Sequence, residues 1–292
     1  MRRSAFCAAI IVLGCVAGAV QPSPSAGADA PLLPPSFKKI ATGPAGGTLW
    51  QGVISNPEQP TPRRETILYL PPDVSRANRY PSFYVLHGMP GDPRSIAGMN
   101  FAGVADRLIS SGAVRPFVAV MPPAGSSVRF MGEWAGIWEQ YVVRSVVPWV
   151  DANLPTLATR ESRTLAGLSG GGYGAIDIGL RHPNLFGTLE SWSGYFSAPA
   201  DLAPLWSPVD AIEAHDPTLL VRHSAALLRT LGTRFFISSG TGDAADLAQA
   251  QGFARLLAAN HLSPRLVLGQ GGHDWRFWDH QLPAAIEYAF GR

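Results

Sequence analysis

Apolar positions follow two patterns along this chain: short continuous runs, and longer segments in which they recur at helical spacing. The short runs are typical of buried strands, and the longer segments of amphipathic helices. The predicted strands are Leu49–Ser55, Glu65–Leu70, Phe83–Leu86, Phe117–Met121, Arg163–Leu168, Thr188–Trp192, Arg234–Ser238 and Arg265–Leu268. The predicted helices are Phe101–Ser110, Ile137–Asn153, the segment that follows Ser169, Ala244–Asn260 and Phe277–Phe290.

Strands and helices alternate along most of the chain. This order predicts an α/β fold whose central sheet has about eight mainly parallel strands, with helices on both faces. The first two strands are the exception, because the turn-rich segment 56–60 between them favours an antiparallel pair. The interval 196–233 also departs from the alternation and contains a predicted helix near Leu219–Leu231. Two interpretations of this insertion stay open: a lid that shapes a pocket, and a connector that only packs on the side.

The N-terminal segment has the order of a secretory signal peptide. Two arginines precede an apolar run over Ala5–Val20, and small residues follow at positions 26–30. We therefore expect residues 1–30 to be a signal peptide and cleavage region, and the protein to be secreted or held in the cell envelope. No apolar run is long enough to predict a permanent membrane span. The proline-containing stretch 31–47 is expected to be an extended leader.

Both cysteines, Cys7 and Cys15, lie in the expected signal peptide. A mature chain without cysteine has no disulfide, no catalytic thiol and no thiolate metal site. The segment Val12–Cys15 loosely resembles a lipoprotein processing site, but leucine directly before the glycine is a poor match, so a lipid anchor at Cys15 is not expected.

The charge of the chain argues against nucleic acid as a partner. Charged residues make up 15% of the chain and the net charge is +2, which suits a compact, well-buried protein. There is no basic footprint, so nucleic acid is not an expected partner. The sequence does not indicate an oligomeric state.

The most informative motif is Gly-Leu-Ser-Gly-Gly at positions 167–171, between a predicted strand and a predicted helix. Such a turn presents a serine hydroxyl at the top of a sheet, with the serine in a strained backbone conformation. Side chains at Gly167 and Gly171 would collide with the neighbouring strand or helix. Ser169 is the candidate nucleophile. The alternative interpretation is a glycine-rich loop that only turns the chain.

A serine hydroxyl needs a base, and His273 has the best position among seven histidines. It follows the last predicted strand through a glycine-rich loop and precedes the last helix. Its ring needs a carboxylate partner, for which Asp243, directly after the strand Arg234–Ser238, is the candidate. Asp246 is the rival, and its place within a helix favours a solvated surface position. Asp274 is expected to point away from the ring's partner.

Acyl transfer also needs N–H donors for the developing oxyanion. The candidates are the backbone N–H groups of Gly170 and of Met89, which lies in the loop His87–Gly91 after the strand Phe83–Leu86. Pro90 has no N–H. His87 is expected to be structural. No cofactor and no metal site is expected.

Taken together, these residues resemble the putative esterase family of α/β-hydrolases, which includes esterase D-like, enterochelin-esterase-like and secreted mycolyltransferase-like proteins. The resemblance covers roughly Thr48 to Phe290, so an α/β-hydrolase catalytic domain would span residues 48–292. Besides the chain order Ser169, Asp243, His273, it is carried by Tyr69–Pro72, Tyr80–Gly88, Trp138–Tyr141, Pro148–Asn153, Arg181–Pro183, Leu185-Phe186 and Gly271–Trp275.

The resemblance implies a serine carboxylesterase that forms an acyl-serine intermediate and acts on small-molecule, lipid or glycan acyl esters. The alternative to the carboxylesterase is an acyltransferase that passes the acyl group to a sugar hydroxyl. Export and Trp138-Glu139 favour the mycolyltransferase side, whereas Asp243, where those enzymes usually use glutamate, and the small Gly170 depart from it. A non-catalytic binding protein on the same scaffold is a third alternative.

Several tryptophans have two possible roles. Trp134, Trp138 and Trp149 favour packing over sugar binding, and Trp275 and Trp278, beside the candidate base, could line an acyl pocket or the core.

Overall fold

A central sheet of nine strands organises the protein. The structure is a computed structural model that describes residues 32–55, 64–124, 134–197 and 213–292. In chain order the strands are β1 Lys38–Thr42, β2 Thr48–Gly52, β3 Thr66–Leu70, β4 Ser82–Leu86, β5 Val118–Met121, β6 Arg163–Leu168, β7 Thr188–Trp192, β8 Arg234–Gly240 and β9 Pro264–Gly269. Their order in the sheet is β1-β2-β3-β5-β4-β6-β7-β8-β9.

The sheet is antiparallel at one side and parallel over the rest. β1, β2, β3 and β5 pair antiparallel in succession, which confirms the antiparallel pair predicted from the first two apolar runs. From β5 through β9 every neighbouring pair is parallel. Because parallel strands end at the same edge, the loops after β4, β6, β8 and β9 all lie at one edge of the sheet.

Helices cover both faces. They are α1 Pro93–Ala97, α2 Phe101–Ser110, α3 Ile137–Tyr141, α4 Val147–Asn153, α5 Gly170–Arg181, α6 Pro217–Thr230, α7 Ala244–Ala259 and α8 Trp275–Phe290, with a π-helical segment Val142–Val146 joining α3 to α4. The predicted helix Ile137–Asn153 is thus one continuous helical stretch. α1 is too short to leave a periodic pattern, and the sequence did not predict it.

Two cores form because neighbouring residues of a strand point to opposite faces of the sheet. Leu68 and Tyr84 join the cluster that packs against α3, α4, α5 and α6, whereas Tyr69 and Phe83 join the cluster beneath α2 and α8. Strands buried on both faces read as continuous apolar runs, and this is the reason that the alternation of strand and helix could be predicted.

The expected leader contains a strand, which is a difference from the prediction. β1 lies within residues 31–47 and forms an exposed edge of the sheet. An edge strand is held by backbone hydrogen bonds to one neighbour, so its side chains need no apolar pattern. The turn between β1 and β2 is anchored by Asp106 of α2, which accepts the N–H groups of Ala45 and Gly47.

The described residues belong to one compact unit, Pro31–Arg292. The expected signal peptide, its two cysteines and residues 198–212 of the expected insertion lie outside the described ranges. Within the described ranges, no helix has the length and apolar character that crossing a membrane requires.

Candidate active site

Ser169 lies at the apex of the turn between β6 and α5. Its φ of 54° and ψ of −123° place it in a region that side-chain-bearing residues rarely adopt. Its N–H donates to the carbonyl of Trp192 on β7 at 2.8 Å, which holds the turn against the sheet. The strained turn expected from the sequence is therefore present, with the side chain of Ser169 partly exposed.

Glycines make this turn possible. A Cβ at Gly167 would overlap the carbonyl oxygen of Gly171, and a Cβ at Gly171 would overlap that of Leu86 on the neighbouring strand. Both positions therefore exclude a side chain, as the sequence predicted, and the close approach brings the turn against the end of β4.

The candidate base meets the candidate nucleophile across the edge of the sheet. Nε2 of His273 lies 2.9 Å from Oγ of Ser169, which is hydrogen-bonding distance for a general base and the hydroxyl it activates. His273 lies in the loop between β9 and α8, and its side chain is 40% exposed. Asp274 caps α8 instead, accepting the N–H groups of Gly272 and Phe277, and so does not take part in the contact with Ser169.

Two carboxylates, rather than one, approach the other ring nitrogen. Oδ2 of Asp243 lies 3.1 Å from Nδ1 of His273, and Oδ2 of Asp246 lies 2.5 Å from the same atom. The expectation that Asp246 is a solvated surface residue is wrong, since its side chain is only 18% exposed and faces the imidazole. The available signal was spacing: residues three apart near a helix start lie on one face of the helix.

The three groups shift one another's pKa values. The pKa of His273 is raised because the Asp246 carboxylate hydrogen-bonds with its ring and both carboxylates favour the imidazolium, against desolvation. Burial alone would raise the pKa of Asp243, but hydrogen bonds with Asp246 and His273 lower it. Burial raises the pKa of Asp246, and the neighbouring Asp243 carboxylate adds to that effect. Like charges so close disfavour ionisation of both carboxyl groups together.

The loop after β4 runs beside the nucleophile. A Cβ at Gly88 would lie 2.7 Å from a methyl group of Leu168 and 3.1 Å from Cβ of Ser169, so the backbone of Gly88 and Met89 passes directly along the turn. Gly170 is the first residue of α5, where the helix provides no acceptor for the N–H. Met89 lines the same cavity as Ser169, and Gly170 directly follows the serine, so the assignment of their N–H groups to an oxyanion stays a prediction.

His87 is a buried residue that shapes this loop. Its Nε2 accepts the N–H of Ala124 at 3.1 Å, so Nδ1 carries the proton and donates to the carbonyl of Gly88 at 2.9 Å. Burial lowers the pKa of His87 to about 4, which keeps the ring neutral. These contacts agree with the structural role expected for it.

A cavity of about 300 Å³ opens between these loops. Its lining includes Met89, Ser169 and His273, together with Trp275 and Trp278. The Trp278 indole packs edge-on against the His273 ring with centroids 5.0 Å apart, whereas Trp275 is 46% exposed. Both tryptophans left open by the sequence therefore border the cavity as an aromatic wall, and Trp278, which is only 5% exposed, also belongs to the core cluster beneath α2 and α8.

The tryptophans expected to serve packing do so. Trp134 and Trp138 are fully buried, and Trp149 stacks on Phe37 with centroids 5.1 Å apart. Trp134 also donates its indole N–H to the carbonyl of His87, which ties the core to the loop beside the site.

Metal-ligating side chains come together at two places in the described ranges. Glu139, Asp177 and His215 form a buried group, in which Arg181 and His182 both hydrogen-bond with Oε1 of Glu139. The second group is Asp243, Asp246 and His273, whose polar atoms engage one another and Ser169. In the first group the carboxylates of Glu139 and Asp177 are engaged by Arg181, His182 and His215, and the second group is suited to proton transfer, so we assign neither to a metal or a cofactor.

Comparison with curated proteins finds partial matches to much longer esterases. Esterase Rv1288 of Mycobacterium tuberculosis strain H37Rv is 30% identical over 131 residues, which are 43% of this chain and 28% of that protein. The endo-1,4-beta-xylanase/feruloyl esterase of Xylanibacter ruminicola is 32% identical over 135 residues, 44% of this chain and 18% of that protein. The aligned regions thus span less than a third of the length of either relative.

Comparison with solved structures identifies the fold. A ferulic acid esterase superposes with a TM-score of 0.74 at 22% identity, covering 84% of this chain and 98% of that one. The fold is therefore that of the α/β-hydrolase esterases, as the sequence predicted.

One family description covers most of the chain. The model of the family described as "Putative esterase" matches residues 58–289, a range that includes Ser169, Asp243 and His273. This match, together with the fold, shows that the chain belongs to the putative esterase family.

Proposed function

We propose that the protein is an exported serine ester hydrolase in which Ser169 is the nucleophile, His273 the general base and Asp243 a carboxylate partner of the base. The observation that carries the proposal is the pair of hydrogen bonds that the His273 ring makes, one with Oγ of Ser169 and one with the carboxylate of Asp243. Membership of the esterase family supports it further. Export rests on the signal-peptide features of residues 1–30.

Acylation begins at the serine. Oγ of Ser169 attacks the ester carbonyl carbon while Nε2 of His273 takes the hydroxyl proton, because an unassisted hydroxyl is a weak nucleophile. The tetrahedral oxyanion accepts hydrogen bonds from the N–H groups of Met89 and Gly170. The imidazolium then gives its proton to the leaving alcohol as the ester C–O bond breaks, and the acyl group remains on Ser169.

Deacylation reverses these roles with water. His273 removes a proton from a water molecule, which attacks the acyl-serine carbonyl, and the same proton returns to Oγ as the carboxylic acid leaves. The carboxylate beside Nδ1 holds the ring orientation and stabilises the imidazolium in both half-reactions. The partial exposure of His273 supports hydrolysis, because water has direct access to its ring.

The aromatic wall favours esters with an aromatic acid or alcohol. An aryl group beside Ser169 would face the exposed indole of Trp275 and the edge-packed Trp278, and aromatic pairs are stabilising beyond the area they bury. The names of the relatives, a feruloyl esterase and a ferulic acid esterase, point to the same substrate class. We therefore propose small aromatic-acid esters as substrates.

Substitution of the nucleophile tests the reaction. Ser169→Ala should reduce hydrolysis of a p-nitrophenyl ester by at least about 10⁴-fold, and a fluorophosphonate should add to the wild-type protein but not to the variant, as read by intact mass. Circular dichroism should show that the variant is folded. Retained activity, or labelling of the folded variant, would contradict the assignment.

Acyl transfer to a sugar is the alternative reaction of the same acyl-enzyme. The two reactions share every step up to the acyl-serine and differ in whether water or a sugar hydroxyl attacks it. Turnover of the ester with trehalose present, with products measured by mass spectrometry, separates them. Free acid alone supports the proposed hydrolase, and an acyl-sugar product as the main species would replace it with a transferase.

A further inference from the structure

The N-terminus of α7 presents two aspartates to one imidazole. Asp243 is the N-cap residue, and its Oδ1 accepts the N–H of Asp246 at 3.2 Å while its Oδ2 lies 3.1 Å from Nδ1 of His273. Both oxygens of Asp243 are therefore engaged, one by the helix and one by the ring. Capping of this kind fixes the carboxylate's orientation.

Asp246 is the third residue after the N-cap of α7, a position at which an acidic side chain ordinarily caps the start of its own helix. An acidic residue three positions after the N-cap commonly turns back to accept the N-cap N–H. Here the N–H of Asp243 donates to the carbonyl of Gly240 at 3.3 Å instead. The carboxylate of Asp246 turns to His273, and its Oδ2 lies 2.5 Å from Nδ1, nearer than that of Asp243.

We propose that Asp246 is a second carboxylate acceptor for His273, so that the imidazole keeps an acceptor at Nδ1 when either aspartate is removed or protonated. The proposal rests on the proposed function of Ser169 and His273. Asp246 is a positioning residue, because it acts on the base and does not touch the reacting carbonyl.

The groups around the His273 ring are consistent with Asp243 and Asp246 sharing the role of acceptor at Nδ1. On the side of α7 the ring faces Asp243 and Asp246, on the side of the β6–α5 turn it faces Ser169, and on the side of α8 it packs on Trp278. The carboxylate of Asp274, in the ring's own loop, is committed to backbone N–H groups. Because Oδ2 of Asp243 and Oδ2 of Asp246 both approach Nδ1, at 3.1 Å and 2.5 Å, protonation of one carboxyl group leaves the other in place to accept the Nδ1–H.

A double-mutant cycle tests the proposal. The variants are Asp243→Asn, Asp246→Asn and the double variant, with Asp279→Asn on the exposed surface of α8 as the matched control. Asparagine has the shape of aspartate and is an equally good N-cap, so the start of α7 is preserved. Circular dichroism and thermal unfolding check the fold, and kcat/KM for a p-nitrophenyl ester is the first readout.

Shared acceptors predict a non-multiplicative loss. The value of kcat/KM should fall by less than about tenfold in each single variant. In the double variant it should fall by about 10³- to 10⁴-fold, as when a serine hydrolase loses the carboxylate partner of its base. The control should match the wild type. If one single variant loses as much as the double variant while the other matches the wild type, a single acceptor serves His273 and the proposal is overturned.

A titration that needs no turnover separates this proposal from the proposed function. Nitrogen-15 NMR of His273 should show a lower ring pKa in Asp243→Asn and in Asp246→Asn than in the wild type, and no change in Asp279→Asn. An unchanged pKa in Asp246→Asn overturns the proposal even if the enzyme is active. A lowered pKa in a protein without esterase activity would instead contradict the proposed function alone.

Discussion

Oγ of Ser169 and Nε2 of His273 lie 2.9 Å apart although 104 positions separate the two residues in the chain. Ser169 is held by the turn after β6, and His273 by the loop after β9. The sheet brings them together because β6, β7, β8 and β9 are parallel neighbours, so that their following loops share one edge. The contact thus depends on the sheet order rather than on any local segment.

Gly171→Ala should destabilise the protein and abolish activity. The new methyl group would overlap the carbonyl oxygens of Leu86 and His87, which are backbone atoms and cannot rotate away. We expect a loss in the free energy of unfolding of about 1–3 kcal/mol, measured by urea titration. The control is Gly252→Ala in α7, where only the tip of Arg255 comes as near as 4.0 Å. This control should gain about 0.5–1 kcal/mol, and an equal response of both variants would contradict the steric argument.

The rate should rise with pH through a midpoint above 6.5. The pKa of His273 is raised from 6.5, first by the hydrogen bond with Asp246 and then by the charges of both aspartates, against desolvation. A general base acts only when unprotonated, so kcat/KM is low below this pKa and high above it. The measurement is kcat/KM from pH 5 to 9, corrected with Ser169→Ala. A midpoint at or below 6.5 would show that the carboxylates do not stabilise the imidazolium.

Trp275→Ala should weaken turnover of aromatic esters selectively. Loss of one aromatic partner costs about 0.5–1.5 kcal/mol, which corresponds to a decrease in kcat/KM of roughly 2- to 13-fold. A methyl hydroxycinnamate should show this decrease, and a wholly aliphatic ester such as methyl butyrate should change less. Leu227→Ala in α6 is the control, since Leu227 is equally exposed at 46% but lies outside the cavity lining. Equal effects on both esters would exclude Trp275 as an aryl contact.

Glu139→Gln should destabilise the fold at neutral pH. The Glu139 side chain is 1% exposed and hydrogen-bonds with Nε of Arg181 at 2.9 Å and Nε2 of His182 at 2.6 Å, which ties α3 to the end of α5. Removing one partner of a buried ion pair costs about 3 kcal/mol, measured by urea titration. Glu161→Gln, whose side chain is 74% exposed beside Arg160, is the control and should change stability by less than about 1 kcal/mol.

The pH dependence of the stability difference between wild type and Glu139→Gln tests whether the charge of Glu139 causes that difference. Burial would raise the pKa of Glu139, but hydrogen bonds with His182 and Arg181 lower it below 4.5. A carboxylate with a depressed pKa contributes stability above the unfolded-state pKa and loses it as pH falls through the folded-state value. The difference in the free energy of unfolding between wild type and Glu139→Gln should therefore be largest at pH 6–7 and shrink below about pH 4.5. A gap that stays constant down to pH 3 would point to packing instead.

Most strands were predictable because they are buried on both faces. Runs such as Phe83–Leu86 and Leu165–Leu168 are continuous and apolar, and the structure has strands there. β1 was not predictable, since an exposed edge strand is specified by backbone pairing and its side chains carry no pattern. The turn at Ser169 could be predicted because glycine at 167 and 171 is a local steric requirement.

The roles of several side chains depended on distant contacts. Asp246 could not be told from a solvated helix residue, because only the packing of α7 against the loop of His273 gives its carboxylate a partner. The pairing of Glu139 with Arg181 likewise joins segments 42 residues apart. The local patterns of this chain by themselves determined the α/β architecture, the serine turn and the identity of the candidate base. The tertiary structure alone decided that Asp246 joins Asp243 beside that base and that Trp275 and Trp278 border the cavity, because spacing along a chain sets the face of an element and only packing sets what that face contacts.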